Sequence, residues 1–358
     1  MPETRYEGKL VDGLKEGPGI FTDEEGNRFE GNFTKDKKNG EGTIYYKDGT
    51  KYVGNFVNDM REGKGKIIYN NGEEYEGDFK NDFPEGKGTF KSPNGDIYTG
   101  DFKNEKKEGK GVYIFSNGDK YEGDFKNDEK DGYGIMYYKN GDRYEGNYKN
   151  GVRDGHGKYY YKNGAKFEGE YVGGVKEGKG EINYADGSRY VGDFKKNVRQ
   201  GKGIIYYKDG NRYEGEFKNN VREGKGAMYY NNGDSLEGIF VKDKPNGKGV
   251  YKFQDGEKYE GDYKNGIMEG FGKYYYNNGD RYEGGFKNGI REGKGKIFYG
   301  NGDRFEGEFK CNVREGKGKI IQANGEVFEG MFSNDEPFED TDRKTDLIDE
   351  TERGLVQA

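Results

Sequence analysis

Apolar and polar residues follow a pattern that repeats every 23 residues along almost the whole chain. The tripeptide Tyr6-Glu7-Gly8 marks the start of the first repeat, and its first residue is position 0 of every repeat below. Position 0 falls on Tyr6, Phe29, Tyr52, Tyr75, Tyr98, Tyr121, Tyr144, Phe167, Tyr190, Tyr213, Leu236, Tyr259, Tyr282, Phe305 and Phe328. Positions 0 and 4 are aromatic with few exceptions and alternate with polar residues, and this period of two predicts a β-strand.

The second half of each repeat predicts another strand. Positions 11 and 13 are always glycine in the complete repeats, position 15 is large and apolar, and position 17 is usually Tyr or Phe. Position 20 is again glycine, as in Asn278-Gly279-Asp280, which supplies the positive φ of a tight turn. Glycine costs about 1 kcal/mol inside a helix, so these positions exclude a helical repeat. Each repeat is therefore predicted to be a β-hairpin followed by a turn.

Repeats of about 20 to 50 residues are typical of arrays in which each unit contacts only its neighbours. We therefore predict an all-β fold: an elongated, single-layer, twisted antiparallel meander in the form of a rod. Glycine is normally unfavourable inside strands, but here it leaves room for an aromatic ring to lie across the neighbouring position. The glycines are predicted to be sockets for the rings.

Composition and charge divide the chain into two parts. Only 29% of the residues are hydrophobic and 36% are charged, but 33 Tyr and 23 Phe stand at fixed places in the repeat. Residues 1–332 are predicted to form the array, as fourteen full repeats and a half-repeat. Residues 333–358 carry nine acids and three bases, a charge of -6, so the array keeps only -1 of the total of -7. An array this close to neutral is not expected to bind nucleic acid.

The ends and one internal segment depart from the pattern. The acidic segment 333–358 is predicted to be a disordered tail or a short helix that caps the last strand with Leu347, Ile348, Leu355 and Val356. Pro84, Pro93 and the altered tripeptide that starts at Tyr98 predict a bend or joint near residues 82–99, because proline removes a donor from the ladder.

The residues that catalysis requires are missing from this pattern. His156 is the single histidine and Cys311 the single cysteine, so one chain cannot assemble a Cys/His pair or a metal cluster from several of them. We predict that the protein is not an enzyme and binds no metal or cofactor. The single thiol suits a reducing compartment, and no apolar run approaches the ~18 residues of a membrane helix. A cytoplasmic location is therefore expected.

Position 9 suggests a binding surface for anionic lipid. It is Lys or Arg in eleven of the fourteen full repeats and would form a basic stripe along one edge. The acidic or amide residue at position 10 would cancel much of that field, so a plain solvated edge is the alternative. The candidate headgroup ligands are Arg153, Lys176, Arg199, Arg222, Arg291 and Arg314.

Position 16 suggests a self-association surface. It is often Tyr, Phe or Ile although its neighbours on that face are polar, and the alternative is that these rings are simply exposed. The candidate dimerisation residues are Tyr275, Phe298, Ile321, Phe328 and Phe332.

The strings YEGDFKN, REGKG and YYKNGD resemble the MORN repeat (membrane occupation and recognition nexus) over about residues 6–332. The chain is most similar to protist cytoskeletal proteins built wholly of such repeats. The resemblance implies an elongated β-sheet rod, an antiparallel homodimer formed through the C-terminal repeats, and a scaffold role at membrane-associated cytoskeleton. Phospholipid binding has also been proposed for the family.

Three functions follow from these observations. The first is a non-enzymatic scaffold, a homodimer that organises cytoskeletal or membrane-proximal proteins. The second is a peripheral membrane module that binds anionic phospholipids such as phosphoinositides and recruits a signalling enzyme. The third is a regulatory array that acts on a separate kinase or methyltransferase.

Overall fold

The computed structural model describes residues 4–338. It contains thirty β-strands, and no helix occurs between those two residues. The chain divides into two compact units between Ala185 and Asp186. The all-β fold with a 23-residue period is confirmed.

The first unit contains sixteen strands, and each pairs antiparallel with the next along the chain. Their bounds are β1 Arg5–Val11, β2 Leu14–Thr22, β3 Arg28–Thr34, β4 Lys37–Tyr45, β5 Lys51–Val57, β6 Met60–Ile68, β7 Glu74–Lys80, β8 Phe83–Lys91, β9 Ile97–Lys103, β10 Lys106–Ile114, β11 Lys120–Lys126, β12 Glu129–Tyr137, β13 Arg143–Lys149, β14 Val152–Tyr160, β15 Lys166–Val172 and β16 Val175–Asn183.

The second unit contains fourteen strands with the same antiparallel pairing between chain neighbours. Their bounds are β17 Arg189–Lys195, β18 Val198–Tyr206, β19 Arg212–Lys218, β20 Val221–Tyr229, β21 Ser235–Val241, β22 Lys244–Lys252, β23 Lys258–Lys264, β24 Ile267–Tyr275, β25 Arg281–Lys287, β26 Ile290–Phe298, β27 Arg304–Lys310, β28 Val313–Ile321, β29 Val327–Ser333 and β30 Glu336–Phe338.

A bulge in every complete hairpin sets the register. In β5 and β6, Gly54 pairs with Gly65 and Phe56 pairs with Arg61, so three residues of β6 stand opposite the single residue Asn55. Gly63, in the middle of those three, has φ of 72°, which favours glycine. The hairpin itself closes on two residues with positive φ at positions 6 and 7, such as Asn58 and Asp59.

The aromatic rings of positions 0 and 4 form the core on one face of the sheet, which we call the aromatic face. A typical position 0 ring makes an edge contact with the position 4 ring of its own repeat and with that of the next repeat, as Tyr52 does with Phe56 at 5.2 Å and Phe79 at 5.0 Å. In the first unit this ladder runs without interruption from Tyr6 to Phe167. Such pairs contribute about 0.5 to 1.5 kcal/mol each beyond burial.

The glycines of positions 2 and 13 are the predicted sockets. A Cβ atom placed on Gly54 or Gly65 would stand within 2.7 Å of atoms of the Tyr52 side chain, which is closer than side chains tolerate. Tyr52 is completely buried as a result, although the sheet has no second layer over it. Its hydroxyl donates to the backbone carbonyl of Asn55 at 3.1 Å, a bond that recurs for most of the position 0 tyrosines and that the sequence did not indicate.

The ladder has one gap in the second unit. Leu236 replaces the ring, and the edge contacts stop at Phe240 and resume at Tyr259 and Tyr263. Tyr263 lies toward the vacant socket, since a Cβ on Gly249 would meet its ring at 3.0 Å.

The opposite face, which we call the polar face, carries positions 1, 3, 12, 14, 16 and 22. Position 12 is lysine in most of the full repeats. In the structure the lysine meets the aspartate at position 3 of the next repeat, as in Lys64 with Asp78 at 2.6 Å.

Strand pairing continues in two segments where the repeat pattern changes. Residues Glu336–Phe338, assigned to the tail, form β30 and pair with β29, so the sheet extends six residues past Phe332. The rest of the predicted tail, including its proposed capping residues, lies outside the described residues. Near the predicted joint at 82–99, β8 pairs without a break with β7 and β9. Pro84 occupies position 9. In other repeats the backbone N–H of this position donates to a side chain in the next turn and not to the ladder, as the N–H of Arg61 does to the Asp82 carboxylate. A proline here therefore removes no ladder bond.

Candidate interaction surfaces

The position 9 cations predicted to bind lipid lie over the aromatic ladder. Position 9 pairs with position 4 across the two-residue turn, so both side chains share the aromatic face. The Arg222 guanidinium carbon lies 5.4 Å from the centre of the Tyr213 ring and 5.6 Å from that of Phe240. The same group donates to the Asp243 carboxylate at 3.1 Å and to the Asp243 carbonyl at 2.6 Å, which ties the hairpin to the turn of the next repeat.

The other candidates follow this arrangement. Arg153 stacks on Tyr144 and Tyr171 and donates to the Gly174 carbonyl. Lys176 lies 4.4 Å above Phe167 and donates to the Tyr161 hydroxyl. Each of the remaining three cations covers two rings and donates to the turn carbonyl of the next repeat; these are Arg199, Arg291 and Arg314. Burial, assisted by the nearby Arg153 charge, lowers the pKa of Lys176 to about 8.

These contacts change the interpretation of position 9. Only about a fifth of the Arg222 and Arg314 side chains is exposed. The position 10 acid also has a local role, because Glu223 accepts from the backbone N–H of Lys242 in the next turn. The structure therefore places these cations in the packing of the array, and headgroup binding stays a prediction.

The position 16 residues predicted to form a dimer lie apart from one another on the polar face. Tyr275 is half-buried beneath Lys258, at 4.2 Å, and Phe298 beneath Arg281, at 4.5 Å. Ile321 pairs with Arg304 on one side and Val327 on the other. Cations of position 22 thus separate and partly cover the three apolar side chains.

The last two dimerisation candidates lie on the aromatic face of β29. Phe332 is only 1% exposed, because it packs on Phe305 at 5.1 Å. Phe328 is 45% exposed, in contrast to the other position 0 rings of the second unit, which are buried. No following repeat covers it among the described residues.

The first strand, β1, and the last seven-residue strand, β29, differ in charge at equivalent positions. β1 carries Arg5, Glu7 and Lys9 on the polar face, and such charges discourage pairing at an edge. The equivalent residues of β29 are Val327, Glu329 and Met331. β30 pairs only with Met331 to Ser333, so within residues 4–338 the outer side of 327–330 has no partner strand. Val327 and Phe338 are 55% and 47% exposed there.

The polar face of each unit also contains a groove. In the first unit it has a volume of about 1060 Å³ and crosses β5 to β11. One wall holds lysines paired with aspartates, such as Lys87 with Asp101 at 2.5 Å. The other wall is uncharged at its centre, where Thr89 and Thr99 share a hydrogen bond beside Val112. The groove of the second unit has a volume of about 890 Å³.

The two residues considered for catalysis are exposed. His156 contacts Glu168 and Glu170 on the polar face, and Cys311 occupies a hairpin turn with φ of 48°. Within residues 4–338, no group of three His, Cys, Asp or Glu side chains is arranged to hold a metal ion. The same segment includes no helix with the length and hydropathy needed to cross a membrane.

Three solved structures that match this chain are distant from it in sequence. The Drosophila melanogaster SAS-4 (dCPAP) TCP domain, solved with a proline-rich motif of Ana2 (dSTIL), is 15% identical, with 44% of this chain and 85% of that one covered and a TM-score of 0.30. The Danio rerio CPAP TCP10 domain with a STIL peptide is 14% identical, with 70% and 96% covered and a TM-score of 0.28. Virginiamycin B lyase from Staphylococcus aureus is 15% identical, with 91% and 88% covered and a TM-score of 0.13. TM-scores this low support no argument about function. None of the curated proteins matches at the significance required.

The family comparison is far more specific. The MORN repeat model matches fourteen consecutive segments, from 6–28 to 305–327. The matches follow the 23-residue period; only the segment 237–258 begins one residue late, after Leu236. Together they cover most of the 358 residues, and the hairpin and the glycines of positions 2 and 13 fall in the same place in each. This protein belongs to the MORN-repeat family.

Proposed function

We propose that this protein is a non-enzymatic scaffold that forms an antiparallel homodimer through its C-terminal repeats. MORN repeats indicate a repeat-based protein-interaction or membrane-associated scaffold. The observation that supports the dimer is the edge of β29 over residues 327–330, which has no partner strand among the described residues and where Val327 stands in place of the arginine of β1. Two copies of such an edge can pair with each other in a closed, two-fold arrangement.

The scaffold would present the two faces of its sheet to other proteins. We propose cytoskeletal or membrane-proximal proteins as its partners, and a cytoplasmic location at the cytoskeleton or on the surface of a membrane. Support comes from the resemblance to cytoskeletal proteins of this family and from the surface-exposed grooves, since the described residues group no catalytic side chains.

Light scattering coupled to size-exclusion chromatography tests the dimer. The wild-type chain should have twice its mass of 40.7 kDa. The double variant Val327→Arg, Met331→Lys places on β29 the residues that β1 has at the same positions, and it should be a monomer. Val172→Lys, which adds a charge at an exposed strand end away from both edges, should leave the dimer intact. A monomeric wild type, or a double variant that stays dimeric, would show the proposal to be wrong.

The lipid-binding alternative has less support from the geometry. Its candidate cations contact rings and turn carbonyls, so a headgroup would have to compete with those bonds. Neutralising them would also weaken the array, so loss of liposome binding in such variants would report unfolding as well as lost charge.

A further inference from the structure

The groove of the second unit contains a defect in the charge pairing of the polar face. Where position 3 of the next repeat is aspartate, the lysine of position 12 forms an ion pair with it, as Lys248 does with Asp262 at 2.8 Å. Lys225 has the same position, but the residue paired with it on β21 is Ile239. Among the residues that the structure describes, no carboxylate lies within ion-pairing distance of Lys225.

A second unpaired charge faces Lys225 across the groove. Glu237 lies on β21, and its cross-strand neighbours are Ala227 and Val250, at a position that is lysine in five other repeats. Within residues 4–338 Glu237 has no ion pair either. Both side chains are exposed and line the groove of about 890 Å³.

Apolar side chains complete the lining. Phe271 stands where most repeats have lysine, and its ring is 53% exposed because its cross-strand neighbour is Gly285. Ile239 lies on the same wall, between Lys225 and Phe271. A large aromatic side chain left exposed in a concave surface marks a place where a partner can bury apolar area.

We propose that this groove binds an extended peptide segment of a partner protein. The segment would place a carboxylate against Lys225, a basic side chain against Glu237 and an apolar side chain against Phe271. This inference names the partner class of the proposed scaffold and rests on that function, but it does not depend on the dimer.

The strand spacing gives the expected order of these side chains. Strands lie about 4.8 Å apart, so Glu237 is one strand and Phe271 about four strands, or roughly 19 Å, from Lys225 along the groove. An extended peptide rises about 3.3 Å per residue. The acidic and basic residues should therefore be one or two positions apart, and the apolar residue about six positions from the acidic one.

Selection from a random twelve-residue peptide library displayed on phage, against the full chain, tests the proposal. Enriched peptides should carry an acidic and an apolar residue at that spacing. Synthetic copies should bind at least ten-fold more weakly to Lys225→Glu and to Phe271→Lys. Replacing their acidic residue with lysine should restore binding to Lys225→Glu, which a merely unfolded variant could not do.

Tyr133→Lys is the matched control, because Tyr133 is an exposed ring at the same repeat position in the first unit. It should leave the affinity unchanged. The proposal is overturned if the library yields no enrichment over the Lys225→Glu, Phe271→Lys double variant, or if the selected peptides bind both single variants as well as the wild type. Neither result depends on oligomeric state, so failure here is distinguishable from failure of the proposed dimer.

Discussion

At the scale of the residue, glycine and tyrosine determine the fold together. Tyr213 is completely buried only because Gly215 and Gly226 have no side chains beneath its ring. The sequence allowed this relation to be predicted, since ring and glycine recur at fixed separation. It did not reveal the bond from the Tyr213 hydroxyl to the Glu216 carbonyl, because that bond depends on how the ring lies across the strand.

Two neighbouring glycines provide a matched test of the sockets. A Cβ on Gly226 would lie within 2.6 Å of three Tyr213 atoms, whereas on Gly249, beside Leu236, the closest atom would be at 3.0 Å. Overpacking costs about 1 to 3 kcal/mol, so Gly226→Ala should destabilise its hairpins by at least about 1 kcal/mol more than Gly249→Ala. Neither glycine has positive φ, so the entropic effect of alanine on the unfolded chain is the same for both.

Hydrogen exchange measured by mass spectrometry gives the local stability that this comparison requires. In Gly226→Ala the amides of β19 and β20 should lose protection, and in Gly249→Ala those of β21 and β22 should change less. Equal losses in the two variants would mean that the rings do not depend on these sockets.

At the scale of the element, the bulged hairpin explains what the sequence could not show. From the sequence, position 9 was expected to form a basic stripe along one edge of the array. The turn occupies only two residues, such as Asn219 and Asn220, and this places Arg222 opposite Phe217 on the aromatic face. The residues of the two-residue turn could have indicated that position 9 lies in a strand. However, Asn-Asn or Asn-Asp is a weaker indication of such a turn than Asn-Gly.

Removing one position 9 cation should therefore destabilise the array. Arg222→Met removes two hydrogen bonds to Asp243 and the cation that lies over Tyr213 and Phe240. Hydrogen bonds to charged groups contribute about 1.5 to 3 kcal/mol each to stability. We expect a loss of about 1 to 3 kcal/mol, measured by urea unfolding followed by circular dichroism.

Lys225→Met is the control for Arg222→Met, because it removes a cation from the opposite face where the structure shows no ion pair. It should change stability by no more than about 0.5 kcal/mol. If the two variants unfold at the same urea concentration, the position 9 cations do not contribute to packing and a free basic stripe becomes the better description.

At the scale of the whole molecule, repetition provides the stability and exceptions provide the specificity. The ladder and the salt bridges recur, so the fold could be predicted from one repeat. The candidate partner sites lie where a repeat departs from the rule, at Val327, Phe271 and Ile239. Their significance could not be predicted from sequence, because it depends on which residue each faces across the strands.

Tyrosine rings form much of the core of this sheet, which has no second layer, and the stability of the array depends on their burial. Burial raises the pKa of Tyr52, Tyr213 and Tyr282 to about 12, against an ordinary value near 10. A raised pKa keeps the proton on the folded form, so this stabilisation is complete below pH 10 and is lost as the pH rises from 10 to 12.

Spectrophotometric titration of tyrosinate at 295 nm, with circular dichroism on the same samples, is the direct measurement. We predict that part of the 33 tyrosines ionises only above pH 10, together with loss of the β-sheet signal. Ionisation of every tyrosine in one step near pH 10, with the sheet signal unchanged, would contradict the account.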